Sequence, residues 1–111
     1  MSDELEVVPF STVELLWSWL EVHHSNHPGI WVQLQKTSSG VPSVSFHELL
    51  EAGIAYGWSE SNRRAYDSQS YLQKFAPRRA RGTASGRNLA IADRLEAESR
   101  MKSAGRRALG R

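Results

Sequence analysis

The sequence predicts an α+β fold in which helices pack on one side of a small antiparallel sheet of about three strands, in a single domain spanning residues 1–111. Three observations carry this prediction. Ser11-Thr12-Val13-Glu14 and Ser45-Phe46-His47-Glu48 each have the capping-box form, and each opens a run with apolar residues at helical spacing. Ile30 to Lys36 alternates with period two, as a half-buried strand does. Two further strand-like runs flank the polar turn Asp67-Ser68-Gln69 and predict a hairpin.

The elements follow in order. Residues 1–10 are acidic rather than basic and then apolar, unlike a secretory signal, and are expected to form an N-terminal segment with room to be flexible. In the first helix, Ser11 and Glu14 would satisfy backbone N–H groups at the start, with Phe10 and Leu15 as a hydrophobic staple. Val13, Leu16, Trp17 and Leu20 make its apolar face, and Pro28-Gly29 lies beyond its end. In the strand at 30–36, Ile30, Val32 and Leu34 share one side while Trp31, Gln33 and Gln35 share the other. After a turn-rich loop at Thr37 to Ser43, the second helix buries Phe46, Leu49, Leu50, Gly53 and Ile54, and Gly57 can end it in the left-handed conformation. The hairpin then runs from Trp58 to Phe75, with Tyr71, Gln73 and Phe75 on one side of its returning strand. A basic loop at Ala76 to Gly86 leads to a third helix capped by Ser85, with Leu89, Ala92 and Leu95 inward, and to a short last helix starting at Ser103.

Composition narrows the functions. With no cysteine there is no disulfide framework, thiol nucleophile or cysteine-ligated metal. No stretch reaches the roughly 20 apolar residues of a membrane span, so membrane insertion is not expected and a cytoplasmic location is. The net charge of +2 hides a strong asymmetry: up to Glu60 there are eight carboxylates and one Lys, and beyond it thirteen Arg or Lys and four carboxylates. Such a division can steer an anionic partner, or let the two halves attract each other within the fold.

Several stretches together resemble the bacterial YdeI/OmpD-associated family, also described as bacteriocin-protection proteins. They are Phe10 and Trp19-Leu20, Gly29-Ile30-Trp31-Val32, Gly40 to Phe46, Tyr56-Gly57-Trp58, Tyr71 to Arg79, Asn88, Arg94-Leu95, Arg100-Met101 and Ala104-Gly105. The chain departs from the family's pattern at Ser59-Glu60, where Ile-Asp is usual, at Ala84-Ser85, where Trp-Ser is usual, and at Ser99, where Gly is usual. The resemblance implies a cytoplasmic α+β domain linked to tolerance of bacteriocins or envelope stress, with no catalytic residues to carry over.

Among the side chains, His23, His24 and His27 form the only close cluster of metal-ligand types, but a third or fourth ligand is not evident. Glu60 and Asp67 are a conceivable acid/base pair that the sequence cannot bring together. No phosphate-binding Gly-rich loop, serine-nucleophile motif or dinucleotide fingerprint is present, so neither a cofactor nor a catalytic residue is assigned. The stronger signal is cationic and aromatic. Glu60, Arg63, Arg64, Lys74, Arg78, Arg79 and Arg81, with Trp31, Trp58 and Tyr71, are the expected ligand-binding residues. Guanidinium forks bind phosphate or carboxylate, and aromatic rings offer stacking surfaces. The competing reading has these arginines spent on Glu48, Glu51 and Glu60. The expected role is a non-enzymatic module for an anionic ligand or protein partner, as monomer or homodimer. A nucleic-acid-binding module is the alternative, and a hydrolase or metal enzyme ranks third.

Overall fold

The computed structural model describes residues 5–79 and 85–111. Its elements are β1 (Val7–Pro9), α1 (Val13–His23), β2 (Ile30–Gln35), a 3-10 turn (Thr37–Ser39), α2 (Phe46–Tyr56), β3 (Trp58–Ala65), β4 (Ser70–Pro77), α3 (Gly86–Ala97) and α4 (Ser103–Ala108). The fold is α+β, but its sheet has four strands and is mixed, in the order β1-β2-β4-β3. The β2, β3 and β4 pairings are antiparallel as expected, whereas β1 adds a parallel edge strand, Val7 facing Trp31 and Pro9 facing Gln33. Three residues ending in proline give no readable alternation. The strand exists because β2 offers a partner, shown by the Trp31 N–H donating to the Glu6 carbonyl at 2.9 Å.

Local chemistry sets the helix ends. At α2 the capping box forms in full, the Ser45 hydroxyl accepting from Glu48 N–H at 3.1 Å and a Glu48 carboxylate oxygen from Ser45 N–H at 2.9 Å. Gly57 closes that helix with a φ of +81°, as its position predicts. At α1 the cap is Thr12 rather than Ser11, its hydroxyl accepting from Leu15 N–H. The staple does not form: Leu15 points to solvent while Phe10 is buried edge-on to Trp19. Leu16 and Leu20, on the face the spacing predicts, are fully buried.

The core lies between α1, α2 and one face of the sheet. Ile30, Val32, Leu34 and Phe75 meet Leu16, Leu20, Leu49 and Ile54 there, and α3 and α4 join through contacts with α2. Trp31 and Leu72 are also buried but stand apart from this cluster, because strand alternation puts them on the opposite face. No helix among the described residues is long and apolar enough to cross a membrane.

Candidate functional site

The face of the sheet away from the helices is shaped by a bulge. Glu60 pairs with Phe75 and Arg63 with Gln73, so β3 spends three residues where β4 spends two. A one-residue slip exchanges the faces of everything that follows. Gln73 holds the bulge: its buried side-chain amide donates to the carbonyls of Ser61 at 3.2 Å and Asn62 at 3.1 Å, and its oxygen accepts from Arg63 Nε at 3.3 Å. Arg63 therefore turns toward the helices, its guanidinium 4.4 Å from the Tyr71 ring and 5.5 Å from Phe46. Arg64 turns the other way, facing Leu72 and reaching across β4 to lie 4.5 Å over Trp31. That contact covers an aromatic ring that would otherwise lie bare on the open face.

A trough crosses the same face one row further along. Ser59 pairs with Ala76, and Ala76 lies opposite Gly29, which immediately precedes β2. These are three of the smallest residues, side by side across β3, β4 and the entry to β2. A Cβ on Gly29 would fall 2.8 Å from the Ala76 Cβ, and its φ of +134° disfavours any side chain. The trough has two lobes. One, of about 410 Å³, is lined by Ser59, Ser61, Lys74, Ala76, Pro77 and Arg79. The other, of about 370 Å³, is lined by Leu5, Pro28, Lys74, Ala76 and Arg79. Both share Lys74 and Arg79, and neither is lined by a described acidic residue.

The ion pairs among the described residues lie elsewhere. Glu51 receives Arg94 and His47, Glu96 receives Arg106, Glu98 receives Arg100 and Asp93 receives Arg111. Glu48 is occupied by its capping bond. Among the described residues, Arg63, Arg64, Lys74, Arg78 and Arg79 make no ion pair, so the competing reading, in which they are spent on Glu48, Glu51 and Glu60, is not the arrangement these five adopt.

The ten expected ligand-binding residues thus divide. Trp31, Arg64, Lys74 and Arg79 belong to the open face, which Trp31 and Arg64 seal in one part and Lys74 and Arg79 leave accessible in another. Tyr71 and Arg63 stack together on the helix side. Trp58 is only 1% exposed, packed on Phe75 and Trp19, with its ring N–H donating to the His24 carbonyl, so it lines the core rather than a groove. Glu60 lies on the helix side of β3, opposite Phe75. Arg78 continues the hairpin through its N–H to the Gly57 carbonyl, and Arg81 lies outside the described residues.

Neither alternative chemistry is assembled. Glu60 and Asp67 sit at opposite ends of the hairpin. Asp67 accepts from Gln69 N–H and the Ser70 hydroxyl, each at 2.8 Å, and these bonds hold its carboxyl below the usual range. The rings of His23 and His27 do approach, at 5.6 Å between centroids, although the helix ends before His27. They meet edge to face beside Trp19, and the His27 Nδ1 accepts from Gly29 N–H. No group of three metal-ligand side chains occurs among the described residues. A further polar pair is the Tyr56 hydroxyl donating to Glu21 at 2.6 Å. It lies on the helical side, where burial and the neighbouring carboxylate push the phenol's pKa up, while the hydrogen bond holds Glu21 down.

Sequence reasoning missed Ser59, Ser61, Ala76 and Gly29, whose common row depends on register. Gln73 left a trace, as an amide in an otherwise aromatic row between Tyr71 and Phe75. Residues 8–108 match the model of a family described as Domain of unknown function (DUF8412). No curated protein and no solved structure matches the chain.

Proposed function

The chain belongs to the DUF8412 family, and we propose that it is a non-enzymatic binding module that receives an anionic ligand in the trough on the open face of its sheet. One observation carries this reading: Lys74 and Arg79 line both lobes of a depression without a described acid beside them. Cations left near a concave polar surface favour anions, and a charge-assisted hydrogen bond is worth about 1.5–3 kcal/mol. The resemblance to YdeI/OmpD-associated proteins supports a setting in bacteriocin or envelope-stress tolerance. A nucleic-acid role is less well supported, because the Trp31 ring that a base would stack on is already covered by Arg64.

The test is a two-dimensional amide NMR titration with inorganic phosphate and with sulfate at low ionic strength. Shifts centred on Ser59, Lys74 and Ala76 are expected, and Lys74→Ala or Arg79→Ala should each weaken binding about tenfold, equivalent to about 1.4 kcal/mol. Arg94→Ala, on the far side of α2, should leave binding unchanged. Shifts scattered over the surface, or trough variants that bind like the parent, would refute the proposal. A single-stranded oligonucleotide that binds more tightly, with affinity falling steeply in salt and Trp31 unstacked from Arg64, would favour nucleic acid instead.

A further inference from the structure

We infer that the anionic group taken by this trough is the dianionic phosphoryl group of a small phosphomonoester with an apolar body. The inference rests on the anion-binding reading and deepens it. Its first ground is charge. The two lobes meet at Lys74, Ala76 and Arg79, so a group seated at their junction lies beside two cations, with no described acid among the lining residues to offset them. A carboxylate carries one negative charge and would leave this pair half neutralised, whereas a phosphomonoester carries close to two at neutral pH.

The second ground is shape and hydrogen bonding. Ser59 and Ser61 are two residues apart on one strand and line the same lobe, so their hydroxyls are spaced about 7 Å apart along one edge. With the Lys74 ammonium and the Arg79 guanidinium, they surround the junction with donors from β3, β4 and the segment after β4. A tetrahedral group with three terminal acceptor oxygens can use donors from three sides, while a planar carboxylate has two oxygens in one plane. The floor is open because Ala76 and Gly29 present almost nothing above the backbone.

The third ground is the difference between the lobes. Beyond the junction on the β3 side the wall carries hydroxyls, and on the other side it carries Leu5 and Pro28. A phosphomonoester placed with its terminal oxygens toward Ser59 and Ser61 directs its ester oxygen, and the body attached to it, toward Leu5 and Pro28. A lobe of about 370 Å³ is of the size that holds a small ring or a short chain. Arg64 also lies on this face and is held on Trp31. His27 stands two residues before Gly29, with its ring packed on Trp19 and Trp58.

The test is calorimetric titration of the whole chain with phenyl phosphate, phenyl sulfate and benzoate between pH 5.0 and 7.5 at fixed ionic strength. A phosphomonoester loses its second proton at about pH 6, so phenyl phosphate should bind about tenfold more tightly at pH 7.5 than at pH 5.0. Phenyl sulfate, a monoanion throughout, should bind weakly with a flat profile, and benzoate should be no tighter than phenyl sulfate. Lys74→Ala should remove most of the phosphate preference, and Ala76→Leu, which fills the floor, should weaken all three ligands. His27→Gln should leave the profile in place, showing that the titrating proton is the ligand's. A flat phenyl phosphate profile, or benzoate binding as tightly at pH 7.5, would overturn the phosphoryl assignment while leaving anion binding intact. If His27→Gln flattens the profile, the proton belongs to the protein and the assignment also fails. Failure of all three anions to bind would overturn the underlying reading as well.

Discussion

Replacing Gly105 by alanine should destabilise the protein, although alanine is the better helix former. Gly105 sits within α4 where that helix crosses α2. A Cβ there would stand 2.7 Å from the Ala55 carbonyl carbon and closer still to the carbonyl oxygens of Ile54 and Ala55. These are backbone atoms of an internal helix, so relief requires α4 to move away from α2. Such a shift would loosen Met101 and Leu109, which are buried in the shared core. Overpacking of this kind costs about 1–3 kcal/mol, offset by the roughly 0.5–1 kcal/mol that alanine gains over glycine in a helix. A net loss of about 1–2 kcal/mol is expected. For 111 residues, at about 2.1 cal/mol/K each, 1 kcal/mol corresponds to about 4 °C in Tm, so the variant should melt about 4–8 °C lower. The matched control is Gly86→Ala at the start of α3, where a Cβ meets nothing within 4 Å. Its Tm should be unchanged or rise by about 2 °C. Thermal melts followed by circular dichroism decide the matter. A Gly105→Ala protein as stable as the parent, or a Gly86→Ala protein that loses as much, would refute the packing argument.

Gln73→Leu should cost about 1–3 kcal/mol in urea denaturation, because it strips the hydrogen bonds from the bulge carbonyls of Ser61 and Asn62; a stability change within error would show that the amide does not hold the bulge. Arg64→Ala should lower stability by about 0.5–1 kcal/mol and make Trp31 accessible to acrylamide quenching, whereas unchanged quenching would mean the stack is absent in solution. Glu21, Asp67 and Glu96 have pKa values lowered by hydrogen bonds, from Tyr56, from Gln69 N–H and from Arg106 respectively. The stability they contribute is present above their ordinary values of 4.5, 3.8 and 4.5 and is lost as pH falls through the lowered ones. Denaturation midpoints should therefore decline below about pH 4.5, and Glu96→Gln should make that decline shallower. Tyr56 has the opposite sign: its raised pKa gives stability that is full below the phenol's ordinary 10 and is lost as pH rises through the folded value. An alkaline denaturation series should show that loss, and Tyr56→Phe should remove it.

Elements whose signals are local are legible from residue order alone. The α2 start is complete within Ser45 to Glu48, and its end within Gly57, because a cap and a left-handed glycine need only their own neighbours. Alternation in Ile30 to Leu34 likewise marks the strand and its buried side. The cationic character of the second half is plain from composition, but which cations are available is not. Arg94 and Arg106 bind acids while Lys74 and Arg79 line the trough, a sorting made by packing rather than by residue type.

β1, the two faces of β3 and the trough depend instead on long-range pairing. Val7 to Pro9 is a strand because β2 is beside it. Arg63 and Arg64 part company because one extra residue at the bulge, held by Gln73 from the neighbouring strand, exchanges the faces beyond it. Ser59, Ala76 and Gly29 lie far apart along the chain, and three small residues become one depression only when hydrogen-bonded register sets them in a row. Local chemistry acts over a helical turn, but a site built across strands depends on pairings that no single segment contains.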